Sequence, residues 1–234
     1  EAVLLLGKET DTQDITGTVL KECDPSEITE ETAKKCIESF IGEYDQIPPM
    51  YSALKVNGKK LYELAREGKV VERKSRKVQI YDIRIKEMKL PRIRMEVSCS
   101  KGTYIRTIID DLGKILKTGA VMTALCRTAA CGYNLADSIT LETARELAEK
   151  GEISEHIMRT ETLFASYRKI YVSDAQAKRF SNGGELDMAR TALAKAKAQD
   201  KEIIRVSDRQ GKFLGLGIAD NESGQLKILK LFLN

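Results

Sequence analysis

The stretch Ile93-Arg-Met-Glu-Val-Ser-Cys-Ser-Lys-Gly-Thr-Tyr-Ile-Arg-Thr-Ile-Ile-Asp-Asp-Leu-Gly113 constrains the fold more than any other part of the chain, because its hydrophobic period changes within a few residues. From Ile93 to Ser100 apolar and polar residues alternate, which predicts a strand with one buried face. Ile105, Ile108, Ile109 and Leu112 then recur at the 3.6-residue spacing of a helix. Lys101-Gly102 is the turn between the two. Thr103, Tyr104 and Arg106 therefore fall at the seam of a strand end and a helix start. Unpaired backbone N–H groups and the positive helix end favour an anionic ligand there. An ordinary strand–turn–helix, with the tyrosine in the core and the arginine in a salt bridge, fits the same residues.

The preceding run, Lys77 to Met88, also alternates, so the two strands predict an antiparallel pair joined around Pro91, each burying one face. Upstream, Ala2-Val-Leu-Leu-Leu-Gly7 reads as a buried strand with no preceding turn or cap. With no initiator methionine before it, the chain reads as starting in the middle of a domain. Thr10 to Gly17 is rich in residues that bond their own backbone and predicts an ordered loop before a strand Thr18–Leu20. Thr29, followed by Glu30 and Glu31, caps a helix running to about Phe40. Downstream, the pattern gives a strand from Thr123 to Tyr133 and a helix Leu141–Lys150, capped by Thr140 and stopped by Gly151. Meandering strands with interspersed helices predict an α+β fold.

A boundary is expected between Gly151 and Tyr167. Beyond it, Ser173-Asp-Ala-Gln176 is a capping box opening a short helix that ends by Asn182-Gly-Gly184. Glu202–Val206, Lys212–Ile218 and Leu226–Phe232 read as strands of a small β module, in which Gly215 and Gly217 point to close backbone approach or strong curvature.

Composition removes several function classes. Hydrophobic residues make up 42% and charged residues 32% of the chain. No apolar run approaches the ~20 residues needed to span a bilayer, and the N-terminus carries no secretory signal pattern. Cys23, Cys36, Cys99, Cys126 and Cys131 are scattered without CxxC spacing, which suggests reduced thiols in a cytoplasmic protein. The single histidine, His156, argues against a zinc cluster and a histidine-based triad.

Net charge is only +4, but it is unevenly spread. Between Gln46 and Ile80 nine basic residues, Lys55, Lys59, Lys60, Arg66, Lys69, Arg73, Lys74, Arg76 and Lys77, face three acidic ones. Pro48-Pro49 forces an extended entry, Asn57-Gly58 marks a tight turn, and Leu61–Arg66 reads as a short helix closed by Gly68. Asp45 to about Arg73 thus looks like an insertion presented to a partner. Its basic residues, interleaved with Tyr51 and Tyr62, suit a phosphate backbone with unstacked bases; a solvated charged face has the same composition. From Ser166 to Asn234, thirteen basic residues oppose eight acidic ones, a second positive region.

Several stretches together resemble one family. Lys101-Gly-Thr-Tyr-Ile-Arg-Thr-Ile-Ile-Asp-Asp-Leu-Gly113 closely resembles the central motif of the TruB-type tRNA pseudouridine synthases. Leu6-Gly-Lys-Glu-Thr-Asp-Thr-Gln-Asp-Ile-Thr-Gly17 is similar to that family's loop after its first strand. Gln46 to Tyr62 is similar to its bacterial RNA-gripping thumb, and Leu125-Cys-Arg127 to its Leu-Arg-Arg motif, with Cys126 in place of the first arginine. The tail resembles a PUA-type RNA-binding domain.

The resemblance implies a synthase catalytic domain over 1–153 with a thumb at about 45–73, a linker over 154–166 and a β-rich PUA-like domain over 167–234. It implies isomerisation of the T-loop uridine of tRNA, acting on the T-arm as a monomer in the cytoplasm, without metal or organic cofactor. Tyr104 would line the uracil pocket, Arg106 would pair with the catalytic aspartate, and Leu125 would form an apolar wall. Asp14 would join a polar network beside them. Tyr51, Lys55, Lys59, Lys60, Arg66, Arg73, Lys101 and Arg127 would bind RNA.

One motif of the family, Gly-x-Leu-Asp-Pro-x-Ala-Thr-Gly with the nucleophilic aspartate, does not occur in this sequence. The expectation is a family member without its N-terminal catalytic segment, which binds tRNA and by itself forms no pseudouridine. None of Asp11, Asp14, Asp110 and Asp111 has that motif around it. A non-catalytic RNA-binding or chaperone protein is the alternative if the chain is naturally complete. A guide-RNA-dependent rRNA pseudouridylase is a further one, against which the thumb argues.

Overall fold

A computed structural model describes residues 1–232 and divides into two compact units, the first from Glu1 to Asp137 and the second beginning at Ser138. In chain order the first unit comprises β1 (Ala2–Leu6), β2 (Lys8–Thr10), β3 (Val19–Glu22), α1 (Glu30–Glu38) and β4 (Gly42–Gln46). A short hairpin, β5 (Lys55–Val56) with β6 (Lys59–Lys60), leads into α2 (Leu61–Arg66). Then follow β7 (Arg76–Lys89), β8 (Arg92–Cys99), α3 (Ile105–Leu116), β9 (Ala120–Leu125) and a second short hairpin, β10 (Ala129–Ala130) with β11 (Tyr133–Asn134).

Five strands form one antiparallel sheet in the order β4-β7-β8-β1-β9. The expected β7–β8 pair lies in it, but only β8 alternates without interruption. In β7 the buried residues Val78, Ile80 and Ile83 include a step of three, and the register shifts between Ile80 and Asp82 and again between Ile85 and Glu87. Each bulge inserts one residue and returns the following apolar side chains to the core face. Tyr81, at the first bulge, is turned outward and 60% exposed.

Helices α1 and α3 complete the core. Ile37 of α1 and Ile108, Ile109 and Leu112 of α3 form one cluster with Leu4, Leu6, Ile80, Ile93 and Met95 of the sheet. Each such side chain contributes about 1.5–3 kcal/mol by leaving water. α1 begins at Thr29, whose side chain accepts from the Thr32 amide, as its sequence predicts. α3 lies unusually close to β9 because Gly113 has no side chain: a Cβ there would sit 2.1 Å from the Ala120 amide nitrogen.

The single strand expected over Thr123–Tyr133 is instead broken. β9 starts earlier, at Ala120, and stops at Leu125; the remainder folds into β10–β11. Its turn residues Cys131 (φ 53°) and Gly132 (φ 85°) are both left-handed, as a two-residue hairpin turn of this type requires. Cys-Gly lacks the usual Asn or Asp, so the turn was not legible locally. The basic arm starts inside the sheet, where Asp45 and Gln46 pair with Lys77 and Arg76. Asn57 (φ 50°) and Gly58 (φ 83°) make the expected turn between β5 and β6, and Leu61 anchors the arm at 1% exposure.

The second unit holds α4 (Leu141–Glu149), β12 (Arg168–Tyr171), α5 (Asp174–Ser181), β13 (Leu186–Asp187), β14 (Ile203–Ser207), β15 (Phe213–Asp220) and β16 (Gln225–Leu231). Its sheet runs β12-β14-β15-β16-β13, with β12 and β14 parallel and the other pairs antiparallel. Ser173 and Gln176 form the predicted capping box of α5. Phe180, Ile204, Val206 and Leu226 lie in a separate core. A Cβ on Gly215 would meet the Lys230 carbonyl oxygen at 2.3 Å, which is the close backbone approach its place in a strand suggested.

Segment 154–166, expected as a linker, is packed. The Phe164 ring lies 5.3 Å from Phe232 and 6.0 Å from Phe213, and Glu161 pairs with Lys169 at 2.8 Å and Arg205 at 3.3 Å. Among the described residues no helix is long and apolar enough to cross a membrane.

Candidate active site

Three chain segments of the first unit meet at the start of α3. The strand end is fixed first. Ser100 and Gln79 exchange bonds, the Ser100 amide donating to the Gln79 carbonyl at 2.8 Å and the Gln79 amide to Ser100 Oγ at 3.0 Å. Thr103 Oγ1 donates back to the Ser100 carbonyl at 2.9 Å, and Gly102 takes φ 83° in the turn. Tyr104 is the N-cap of α3 but contributes no side-chain cap. Gln46, at the end of β4, supplies one: its Oε1 accepts from the Tyr104 amide at 2.8 Å and its Nε2 donates to the Tyr104 carbonyl at 3.1 Å.

Arg106, on the first turn of α3, is half-buried. Its Nη2 donates to the Tyr51 carbonyl in the arm, and its Cζ lies 5.9 Å from the centroid of the Tyr104 ring. Burial lowers its proton affinity, opposed by the charges of Tyr104 and Asp14. Among the described residues Arg106 makes no ion pair, so the ordinary salt bridge is not what holds it. Arginine remains charged across the working pH range, and a half-buried guanidinium is well matched to a carboxylate in bidentate contact.

Asp14 comes from the loop over residues 11–17. Its Oδ1 accepts from the Thr16 amide at 3.0 Å and from Thr16 Oγ1 at 2.7 Å. The loop is laddered to β9 through Ile15 and Met122 (2.9 Å) and through Met122 and Gln13 (3.2 Å). Tyr51 Oη reaches Asp11 Oδ2 at 3.4 Å. Loop, arm and turn are thus tied together around Arg106.

Beneath them lies a polar cluster that periodicity did not reveal. Gln13 Nε2 donates to Asp110 Oδ2 at 2.8 Å, and Thr107 Oγ1 donates to Gln13 Oε1 at 2.8 Å. Lys114 pairs with Asp110 at 2.6 Å and Asp111 at 3.1 Å, and the Tyr44 hydroxyl donates to Asp111. Burial pushes the Asp110 carboxyl above its ordinary value, against the pull of Lys114 and Gln13. Burial and the bond to Asp111 raise the Tyr44 phenol. Asp110 and Asp111 are therefore structural groups, in keeping with their lack of a nucleophile motif. The one local hint was an acidic pair inside an otherwise apolar helix face.

The remaining expected residues fall into two sets. Lys55, Lys101 and Arg127 are exposed, without ion pairs among the described residues. Lys59 reaches Glu67 at 3.7 Å. Lys60 Nζ and Arg66 Cζ lie 5.3 and 5.4 Å from the Tyr62 ring centroid, a cationic aromatic face on the arm. Arg73 departs from the expectation of a phosphate contact: it is half-buried and donates to the Pro48 carbonyl at 3.1 Å, bracing the arm's base. Leu125 ends β9 at 55% exposure. In the second unit a groove of about 750 Å³ is lined by Tyr171, Ser173, Gln176, Arg179, Arg190 and Arg209, among others.

Three family models that match this chain describe pseudouridine synthases. Residues 1–105 match the TruB family pseudouridylate synthase N-terminal domain, 106–165 the tRNA pseudouridylate synthase B C-terminal domain, and 169–228 the pseudouridine synthase II TruB C-terminal domain. The chain belongs to the TruB family of pseudouridine synthases. It is 43% identical over 232 residues to the tRNA pseudouridine synthase B of Clostridium tetani (strain Massachusetts / E88), covering 99% of this chain and 77% of that protein. With its counterpart from Clostridium perfringens (strain 13 / Type A) it shares 42% over 228 residues, covering 97% and 75%.

The fold is similar to that of a chain in a crystal structure of a Cbf5-Nop10-Gar1 complex, with a TM-score of 0.66 at 18% identity. That match covers 99% of this chain and 64% of the solved one, so the chain spans less than two thirds of the structure it resembles. A structure of an H/ACA RNP bound to a substrate RNA containing 2'-deoxyuridine gives a TM-score of 0.65 at 17% identity, covering 100% and 65%.

Proposed function

We propose that this protein isomerises the T-loop uridine of tRNA to pseudouridine, acting on the T-arm as a monomer in the cytoplasm. The observation that carries this is the half-buried Arg106 beside Tyr104, held at the junction of the turn, the Asp14 loop and the basic arm. Membership of the TruB family, with relatives named tRNA pseudouridine synthase B, supports it over a non-catalytic RNA binder.

The reaction breaks the C1′–N1 glycosidic bond, turns the base while it remains bound, and joins C5 to C1′. A uridine inside the folded arm must first be flipped out, at a cost on the order of a few kcal/mol. Tyr104 then offers a face against which the uracil stacks, and Leu125 an apolar wall. Arg106 pairs with the family's nucleophilic aspartate, whose motif is not among the residues of this sequence, and holds that carboxylate ionised and oriented. Asp14 belongs to the polar network beside the site, and its charge acts on the guanidinium. Tyr51, Lys55, Lys59, Lys60, Arg66, Lys101 and Arg127 face the RNA, and Arg73 supports the arm that carries several of them.

By domain, the catalytic part takes residues 1–153, with the arm at about 45–73, although its last stretch, from Ser138, packs within the second compact unit. Residues 167–234 form the PUA-like RNA-binding part, with 154–166 packed onto it.

Arg106→Ala in the full-length protein tests the reading. The expected result is a loss of at least about 10²-fold in the single-turnover rate on T-arm stem-loop RNA, with a much smaller change in RNA affinity. Equal loss of rate and affinity would reduce Arg106 to an RNA-positioning residue.

A further inference from the structure

Gln13 occupies an unusual place in the loop that carries Asp14. Its φ is 63°, a left-handed conformation that a non-glycine residue keeps only where its surroundings demand it. That backbone conformation sends the side chain down to α3, where Thr107 and Asp110 are 2% and 6% exposed. The amide uses both of its ends, accepting from Thr107 Oγ1 and donating to Asp110 Oδ2, each at 2.8 Å. Thr107 and Asp110 stand one and four residues after Arg106, so both bonds reach the first two turns of the helix that carries the arginine. Among the described residues these are the only hydrogen bonds between loop 11–17 and α3.

The backbone ladder to Met122 fixes the loop against β9. It does not by itself set the distance from the loop to α3. Asp14, the next residue after Gln13, is a carboxylate whose charge acts on Arg106. Its spacing from the guanidinium depends on how the loop is held to the helix.

We propose that Gln13 is a positioning residue for catalysis: its amide straps the Asp14 loop to α3 and so sets the place of Arg106's charged neighbour. This rests on the reading of Arg106 given under Proposed function. A strap of this kind acts on the reacting geometry and leaves the RNA-gripping arm untouched, so it alters the rate of the chemical step and not RNA affinity. Misplacement of a catalytic group by about 1 Å costs on the order of 10²-fold.

The test uses the full-length protein and single-turnover kinetics on T-arm RNA. Gln13→Glu places a carboxylate against Asp110 and breaks the donor end of the strap; the expected result is a rate lower by roughly 10- to 100-fold with KM and RNA affinity unchanged. Combining Gln13→Glu with Asp110→Asn exchanges donor and acceptor, so the new carboxylate accepts from the new amide while still accepting from Thr107, and most of the missing rate returns. Gln13→Met removes both bonds at similar volume without adding charge, and serves if the charged variant fails to fold; it should lower the rate in the same way. A wild-type rate in Gln13→Met, or a double variant as slow as Gln13→Glu, overturns the strap while an inactive Arg106→Ala leaves the site reading standing. A wild-type rate in Arg106→Ala overturns that reading, and the strap with it.

Discussion

Gln46 and Tyr104 are joined by two hydrogen bonds, 2.8 Å from the Tyr104 amide to Oε1 and 3.1 Å from Nε2 to the Tyr104 carbonyl, so a side chain replaces the cap that the helix lacks. Gln46 is 1% exposed and Tyr104 is half-buried, which limits the access of water to the pair. Gln46→Leu keeps the volume but strands the Tyr104 amide, while the Tyr104 carbonyl keeps its bonds from the Thr107 and Ile108 amides. Leaving buried polar groups unpaired costs about 1–3 kcal/mol. Denaturant unfolding should show a loss in that range, and exchange of the Tyr104 amide with solvent should accelerate.

Gly113→Ala sets two effects against each other. Alanine favours an isolated helix over glycine by about 1 kcal/mol. The added methyl would meet the Ala120 amide nitrogen at 2.1 Å and the Gly119 carbonyl carbon at 2.4 Å, both backbone atoms that cannot turn aside. Overpacking of this kind costs about 1–3 kcal/mol or more, so the clash wins. The expected outcome is a lower melting temperature and, because α3 carries Arg106, a lower rate; a more stable variant would show that α3 is not held against β9 as described.

Asp110 ties stability to pH. Its carboxyl is raised above the ordinary 3.8, first by burial. A raised acid binds its proton more tightly when folded, so this contribution to stability is complete below about pH 3.8 and is lost as pH rises through the folded value. Asp110→Asn removes that titration. Unfolding free energies measured from about pH 3 to 7 should decline less steeply with rising pH in the variant than in the parent protein; parallel curves would place the ordinary carboxyl value in the fold.

The arm's lysines should act through charge. Lys55 and Lys59 are exposed, and Lys59 has only a 3.7 Å ion pair with Glu67, which itself is exposed. Replacing both with alanine should weaken T-arm RNA binding and reduce the slope of log affinity against log salt by about 0.7–0.9 for each phosphate that the lysines no longer neutralise. A slope that stays the same would move the RNA away from this hairpin. Arg73→Ala should differ in kind: it loosens the arm's base at the Pro48 carbonyl and changes the salt slope little.

Local sequence determined what depends on neighbours along the chain. The period change at Ser100–Ile105, the caps at Thr29, Thr140 and Ser173, and the Asn57-Gly58 turn each rest on bonds within a few residues, and each was legible. The basic arm was legible as well, because charge is carried by composition. The family motifs marked Tyr104, Arg106 and Asp14 as a group. What decides their arrangement is long-range. Gln13 reaches Thr107 and Asp110 across more than ninety residues of chain, and Gln46 reaches Tyr104 across fifty-eight. A buried amide leaves no period and no composition signal; only the packing of α3 against the sheet removes the water that makes such bonds matter. The bulges of β7 and the hairpin at Cys131-Gly132 were likewise settled by which face had to be buried, and that face exists only once the sheet has formed.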